Sequence, residues 1–414
     1  MSRQFFRVVE HTVAGAHSRE YVGATANGDV DDRPRLAVRQ YIPLDNANPQ
    51  PGDVTIIGAH ANAFPKELYE PLWDELYQRS AQSGIRIRSI WIADMWNQGQ
   101  SGVLNEGIMG NDPSWFDHAR DLTALINQKR DEMPQPLVGI GHSMGAAQLT
   151  LVALNNPRLL RSLVLLDPVI QASTTGIGPA IASTHRRDLW DSRDAAAAKF
   201  KQSKFYQSWD PRVLDLWIRH GLRALPTPIY PSPANSSSNG TPDQRVTLTT
   251  TKHQELFTFL RPAYRDGDGK TPVDRDTSNP DPAHADYPFY RAEPLHAFRR
   301  LPELRPSVLY VFGEASDMSQ PDARRVKMER TGTGLGGSGG APKGRVREVV
   351  LDCGHLVAME RVEQCADAIA GFLGPELEGW RKERVEFERG RATVGARERV
   401  MVDERWKKEI KPKM

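Results

Sequence analysis

Gly139-Ile140-Gly141-His142-Ser143-Met144-Gly145-Ala146-Ala147-Gln148 is the stretch on which the reading of this sequence turns. It continues the apolar run Leu137 to Ile140 and opens an Ala-rich helical pattern over Ala146 to Asn155. Residues 141–145 spell G-x-S-x-G. A serine between a strand and a helix in this pattern sits on a sharp, strained turn, with its hydroxyl raised above the sheet. Side chains at the two flanking glycines would collide with the neighbouring strand and helix. The helix N-terminus then presents N–H groups and the positive end of its dipole to an oxyanion. Ser143 is therefore the candidate nucleophile. The competing reading is a glycine-lined turn with no chemistry.

Outward from this point, short apolar runs alternate with helical patterns. Phe6 to Val13, Leu36 to Pro43, Val54 to Ile57, Ile85 to Ala93 and Ser162 to Leu166 read as strands. Lys66 to Gln82 and Trp115 to Arg130 read as helices. Such alternation predicts an α/β fold with a mainly parallel central sheet flanked by helices. In such sheets ligands bind at the carboxyl ends of strands. The rhythm lapses after Pro168 and returns at Ser307 to Phe312 and Val346 to Leu351. Between them, Arg212 to Leu225 is the clearest helical pattern, and the polar stretches Ser232 to Gln244 and Asp266 to Asp286 read as loops. The predicted organisation is a core in two parts, 1–168 and 306–374, interrupted by a mostly helical cap at 169–305. A charged extension at 375–414 ends the chain. That extension reads either as a helical arm, packed on the body or on a second copy in a homodimer, or as a solvated helix. The Gly-rich stretch Thr331 to Gly344 lacks G-x-x-x-x-G-K-[ST] and reads as a flexible surface insertion.

Composition narrows the classes. The 414 residues are 39% hydrophobic and 26% charged, which argues against a chain disordered throughout and against a membrane bundle. Lys plus Arg is 54 against 52 for Asp plus Glu, so no basic excess recommends nucleic acid as a partner. Only Cys353 and Cys365 occur, too few for a disulfide scaffold or a Cys-rich zinc site. A reducing, intracellular setting is the simplest expectation. The N-terminal residues lack the apolar stretch of a signal peptide, and no run of about 18 apolar residues predicts a membrane span. The glycosylation-type triplets at Asn235 and Asn239 are expected to be idle.

A serine becomes a nucleophile only when a base takes its proton. His355 follows the last predicted strand and the turn Asp352-Cys353-Gly354, where this architecture needs its base. His142, adjacent to the serine, is read as a packing or hydrogen-bonding neighbour. His60 is read as shaping a loop rather than titrating. Two aspartates could orient the histidine: Asp167 in Leu165-Leu166-Asp167-Pro168 and Asp317 in Glu314-Ala315-Ser316-Asp317. Both end strands and both give the chain order Ser, Asp, His. Spacing alone does not separate them. The oxyanion hole needs two N–H donors. Met144 offers one by position. Asn62 or Ala63, in the small-residue loop Gly58-Ala59-His60-Ala61-Asn62-Ala63-Phe64-Pro65, offers the other.

These residues bring a family into view. The chain resembles the α/β-hydrolases. More narrowly it resembles fungal toxin-biosynthesis hydrolases of the AK-toxin type and the peroxisomal acyl-CoA hydrolase of mycophenolic acid biosynthesis. The matching stretches include AHANAFPKELYEPLWDEL at 59–76, WIADMWNQGQSGVLNE at 91–106, GIGHSMGAAQ at 139–148 and SLVLLDPVI at 162–170. SWDPRVLDLWIRHGLRALP at 208–226 and CGHLVAMERVE at 353–363 extend the match. The resemblance implies that the triad acid follows the strand after the elbow, which favours Asp167 over Asp317. It also implies glycine at position 63, where this chain has Ala63.

The expectation is a serine hydrolase with no metal or organic cofactor, acting through Ser143, His355 and Asp167 on a thioester or ester. A small-molecule acyl substrate, with an acyl-CoA favoured, follows from the resemblance. Trp96, Trp209, Trp217 and Phe257 are the candidate lining of an acyl pocket. A lactonase, a carboxylesterase or a C–C bond hydrolase on the same triad is the alternative enzyme. A non-catalytic ligand-binding homologue is the alternative class. Haloalkane dehalogenase and epoxide hydrolase chemistry needs a carboxylate at position 143. The terminal Pro412-Lys413-Met414 partly fits the S-K-L pattern, so delivery to the cytoplasm or to peroxisomes is expected.

Overall fold

The apolar runs of the sequence become the strands of one twisted sheet. In the computed structural model, which describes residues 2–28, 32–173, 176–231, 244–262 and 289–410, eight strands form it. They are β1 (Phe6–Ala14), β2 (Arg35–Pro43), β3 (Val54–Ala59), β4 (Ile87–Ala93), β5 (Leu137–His142), β6 (Ser162–Leu166), β7 (Ser307–Gly313) and β8 (Val346–Leu351). Their spatial order is β1-β2-β4-β3-β5-β6-β7-β8. β1 pairs antiparallel with β2, and β2 with β4; every later pairing is parallel. Every residue of β3, β5, β6 and β7 is buried, because both faces of a parallel sheet are covered. The edge strand β8 instead alternates toward solvent.

Two apolar layers cover the sheet. On one face pack α1 (Glu70–Ser80), through Leu72, Trp73 and Leu76, and the C-terminal helix, through Ile369, Phe372 and Leu373. On the other pack α2 (Trp115–Gln128), through Leu122 and Leu125, and α3 (Met144–Asn155), through Leu149 and Val152. Strand order reverses between β3 and β5, which neighbour one another although β4 intervenes in sequence. A crevice opens outside the carboxyl ends of strands at such a reversal. The loop after β3 and the turn after β5 therefore meet, with Ala59 and Gly141 in register.

The segment between β6 and β7 carries helices that include α4 (Pro211–His220) and α5 (Lys252–Phe259). It also holds a three-stranded antiparallel sheet, Leu189–Trp190, Val246–Leu248 and Leu222–Ala224. The expected helix over Arg212 to Leu225 thus ends early. Gly221 caps it, and Leu225 precedes Pro226, a position that disfavours helical backbone. The C-terminal helix α6 (Val362–Ala392) runs on past residue 374, where the charged extension begins. Pro375 lies inside it, on the exposed side, where the carbonyl it frees can reach water. Leu377 is still buried, and Glu376 faces Arg161 and Arg345. From Lys382 onward the described residues are exposed, anchored early by the Arg161–Glu383 pair.

Residues 331–344 lie largely on the surface, with Thr331, Gly332 and Gly340 buried, and backbone bonds from Gly332, Gly334 and Ser338 pin them to Leu301, Pro302 and Leu304. The polar stretch at 232–243, all of 266–286 with its flanks, Asn235, Asn239 and the terminal Pro412-Lys413-Met414 lie outside the described residues. Among the described residues, no helix is long and apolar enough to cross a membrane.

Candidate active site

β5 delivers Ser143 onto a strained backbone, φ 57° and ψ −116°, which a non-glycine residue adopts only when its surroundings hold it. Two hydrogen bonds do so: Ser143 N–H donates to the Leu166 carbonyl at 2.9 Å, and the Ser143 carbonyl accepts from Val169 N–H at 3.1 Å. The flanking glycines are steric necessities. A Cβ on Gly141 would lie 2.6 Å from the Gly145 carbonyl oxygen, and one on Gly145 would overlap the Ala59 and His60 carbonyls.

The turn between β8 and a short helix, Val357–Glu360, carries His355 to the serine. His355 Nε2 lies 2.8 Å from Ser143 Oγ. On the far side, His355 Nδ1 lies 2.6 Å from Asp167 Oδ2. Asp167 ends β6 with a φ of 37°, again a strained value for a residue with a side chain. Its carboxylate is fully buried and accepts from Gly313 N–H at 3.0 Å and from the hydroxyls of Ser316 and Ser319. Burial pushes this carboxyl up, but the bonds from His355, Ser316 and Ser319 outweigh it and hold it below the usual carboxylate range. An ionised Asp167 only accepts, so Nδ1 of His355 carries the proton and Nε2 is the acceptor for the serine hydroxyl. Asp317 stands two residues before Ser319, exposed, at the start of a turn whose N-cap is Ser316. It does not face His355.

The two other histidines of this region are locked and neutral. Tyr69 accepts from Ala61 N–H at 2.8 Å and donates to His142 Nδ1 at 3.0 Å; His142 Nε2 then donates to the His355 carbonyl at 3.1 Å. Burial pushes His142 down to about 3, helped by the neighbouring His355. His60 accepts from Met95 N–H at 2.8 Å through Nε2, so its Nδ1–H donates to the Ala61 carbonyl at 2.8 Å. Burial lowers its pKa as well.

The loop after β3 lies against this turn. Of its two candidate donors, Ala63 is spoken for: its N–H donates to Gln98 Oε1 at 2.7 Å. Asn62 is the one of the two whose backbone N–H is left over. Among the described residues no group accepts from the Asn62 or the Met144 backbone N–H. Ala63 has a φ of 67°, the left-handed region that favours the glycine expected there.

The aromatic residues fall differently from the expected pocket lining. Trp96 is fully buried beneath the Arg19 guanidinium, inside the layer that packs α2 and α3. Trp209 and Trp217 are buried edge-on against Phe64 and one another. These three are core; Phe64 carries the packing of Trp209 and Trp217 to the loop beside Asn62. Phe257 is half-buried on α5. For Trp209 and Trp217 the reason is size and context: large aromatics give an insertion a core of its own. A cavity of about 290 Å³ lined by Arg39, Lys66, Glu67 and His220 includes none of the residues above. Its cations pair with Glu10, Glu67, Glu70 and Asp94. Among the described residues, no cluster of three His, Cys, Asp or Glu could hold a metal ion.

Ser316, Ser319, Tyr69 and Gln98 were not singled out from sequence. Ser316 and Ser319 flank the very aspartate considered as an alternative acid, and Tyr69 and Gln98 lie inside the stretches quoted for the resemblance. Their pairing partners are distant in sequence, so no local pattern marks them.

A family model described as "Alpha/beta hydrolase family" matches residues 56–368. The type I acyl-CoA thioesterase mpaH′ of Penicillium brevicompactum is 42% identical over an alignment of 434 positions, covering 100% of this chain and 97% of that protein. The abhydrolase domain-containing protein AFT2-1 of Alternaria alternata is 30% identical and covers 58% of this chain and 84% of its own length. Among solved structures, the peroxisomal alpha-beta-hydrolase Lpx1 from Saccharomyces cerevisiae superposes with a TM-score of 0.65 at 15% identity. It covers 94% of this chain and 99% of that one. At that identity the likeness bears on fold alone.

Proposed function

The chain belongs to the alpha/beta hydrolase family, and from that membership we propose that it is a serine acyl-CoA hydrolase acting on a secondary-metabolite-like acyl group. The observation that carries the reading is the aligned row Ser143 Oγ, His355 Nε2 at 2.8 Å, His355 Nδ1 and Asp167 Oδ2 at 2.6 Å. The choice of a CoA thioester rests on the relatives bearing the name type I acyl-CoA thioesterase.

In this mechanism Ser143 Oγ attacks the acyl carbonyl while His355 Nε2 takes its proton. The buried, ionised Asp167 keeps that nitrogen free and stabilises the imidazolium that forms. Asn62 N–H and Met144 N–H receive the developing oxyanion. Each such donor is worth about 10²–10³ in rate. The imidazolium returns its proton to the leaving thiolate, giving free thiol and an acyl-serine. His355 then takes a proton from water as the water oxygen attacks the acyl-serine, and the imidazolium returns that proton to Ser143 Oγ as the C–O bond breaks and the carboxylic acid leaves. With one-third of the His355 side chain exposed and Ser143 nearly buried, substrate reaches the serine past the imidazole. The segment at 169–305 serves as the cap over the acyl group in this reading.

Thiol release from a panel of acyl-CoAs, with Ser143→Ala as control, tests the proposal. Release that disappears in the variant supports it, and the chain-length profile sizes the acyl site. No release from a protein that a fluorophosphonate still labels at Ser143 would replace thioesters by esters, lactones or a C–C bond. Peroxisomal delivery through Pro412-Lys413-Met414 belongs to the same reading. A fluorescent protein ending in residues 403–414 is expected to mark peroxisomes, and a diffuse signal would remove the claim.

A further inference from the structure

One buried carboxamide holds the oxyanion loop from behind. Gln98 lies five residues beyond the end of β4 and is almost fully enclosed. Its Oε1 accepts from Ala63 N–H at 2.7 Å. Its Nε2 reaches Asn62 Oδ1 at 2.6 Å and Thr258 Oγ1 at 3.0 Å. Both hydrogens and the carbonyl of the amide are therefore in use. Thr258 is completely buried on α5, and it donates to the Gln254 carbonyl at 2.8 Å. Asn62 closes the circuit, since its Nδ2 donates to the Glu255 carbonyl of the same helix at 3.0 Å. The backbone on the other side of Asn62 is tied as well, through Ala61 N–H and Tyr69.

The consequence is geometric. The N–H groups of Ala61 and Ala63 are both turned into the protein, and only that of Asn62 between them is left unengaged. Ala63 holds a left-handed φ, which disfavours a residue with a side chain. The Gln98 bond to its amide is what selects that conformation. A buried hydrogen-bond network of this kind favours a single arrangement.

We propose that Gln98 is a positioning residue: it aims the Asn62 N–H alongside that of Met144 and makes that aim depend on α5 being seated. The proposal rests on the reading of Ser143 as nucleophile. Through Gln98, the insertion and the oxyanion site are one hydrogen-bonded unit, so a displacement of α5 drags the donor out of line.

The test compares Gln98→Met, which keeps the volume and removes all three bonds, with Thr258→Val, which removes the Gln98 and Asn97 bonds to the Thr258 hydroxyl and leaves the Asn62–Glu255 link to α5 in place. Gln98→Met is expected to lower kcat about 10²-fold, as an ångström-scale misplacement does, with KM changed less than about threefold. The second-order rate constant for fluorophosphonate labelling of Ser143 should fall by the same factor as kcat/KM, because its phosphoryl oxygen uses the same donors. Thr258→Val should show the same pattern at about a tenth of the size, and it decides the matter if Gln98→Met does not fold. A merely structural role would lower the labelled fraction and leave the rate constant per labelled site unchanged. That result, or wild-type kinetics in both variants, overturns the proposal. A wild-type protein that labels but hydrolyses no thioester overturns the substrate assignment alone, and the labelling rates still judge Gln98. A folded wild-type protein that takes no label overturns both.

Discussion

Asp167→Asn should cost this protein about 10⁴ in kcat/KM, and the structure says why an isostere is so damaging. Asp167 Oδ1 accepts from Gly313 N–H and Ser319; Oδ2 accepts from His355 and Ser316. An asparagine has one oxygen for these two places. Gly313 N–H is a backbone donor and cannot turn away, so the oxygen must face it, and the amide –NH₂ then faces His355. Serine hydroxyls rotate to suit; the imidazole does not, except by changing tautomer. The proton moves from Nδ1 to Nε2, the nitrogen that should receive the proton of Ser143. A wrong-tautomer substitution of this kind lowers kcat about 10⁴-fold, or about 5.5 kcal/mol at about 1.36 kcal/mol per tenfold. Asp317→Asn changes an exposed turn residue and should alter the rate less than about twofold. Initial rates of thiol release, with circular dichroism as a check on folding, measure both. Asp167→Asn retaining a tenth of the activity, or Asp317→Asn being the worse variant, would refute the reasoning.

Three further outcomes follow from other parts of the site and core. Ser319→Ala removes one donor from a fully buried carboxylate and should cost about 1.5–3 kcal/mol of stability, read from urea unfolding at pH 7; a loss under about 0.5 kcal/mol would show that the hydroxyl is dispensable. Gly145→Ala puts a Cβ into the Ala59 and His60 carbonyls, so soluble protein should either be lost or label with fluorophosphonate at least about 10²-fold more slowly; normal labelling would count against the elbow packing described. His60, His118 and His142 are all buried with pKa values pushed down by burial, so unfolding below about pH 6.5 takes up protons and stability falls as pH falls, by up to about 1.4 kcal/mol per unit for each group. Neither ring nitrogen of His118 has a hydrogen-bond partner among the described residues, so His118→Phe should make the decline of the urea midpoint between pH 7 and 5 shallower by up to one proton; parallel slopes would exclude His118 from the linkage.

Much of the fold was legible because it is written in local periodicity. Buried parallel strands read as unbroken apolar runs, and all eight appear within two or three residues of their expected ends. Misreadings fell where a neighbour distant in sequence overrides a local pattern. Leu222–Ala224 continues a helical pattern but pairs with Val246–Leu248. α6 runs through Pro375, which sits on the wet side of the helix, where a missing N–H costs less. Trp96, Trp209 and Trp217, offered by the sequence as candidate pocket lining, are buried.

By itself the sequence determined the alternating architecture, the elbow at Ser143 and the histidine in the loop after the last strand. Each depends on residues adjacent in the chain: two glycines around a serine, an apolar run before a turn. Only the tertiary structure decided which carboxylate faces His355. Asp167 and Asp317 follow neighbouring strands, and nothing in their spacing ranks them. The β6–β7 register and the φ of 37° at Asp167 turn that side chain inward onto Gly313, Ser316, Ser319 and His355, and leave Asp317 in water. Only the fold, likewise, spent the Ala63 amide on Gln98 and left that of Asn62 unengaged. The physical reason is common to both. Backbone type follows from near neighbours, whereas the direction of a single polar group follows from partners that folding brings from 35 to 188 residues away.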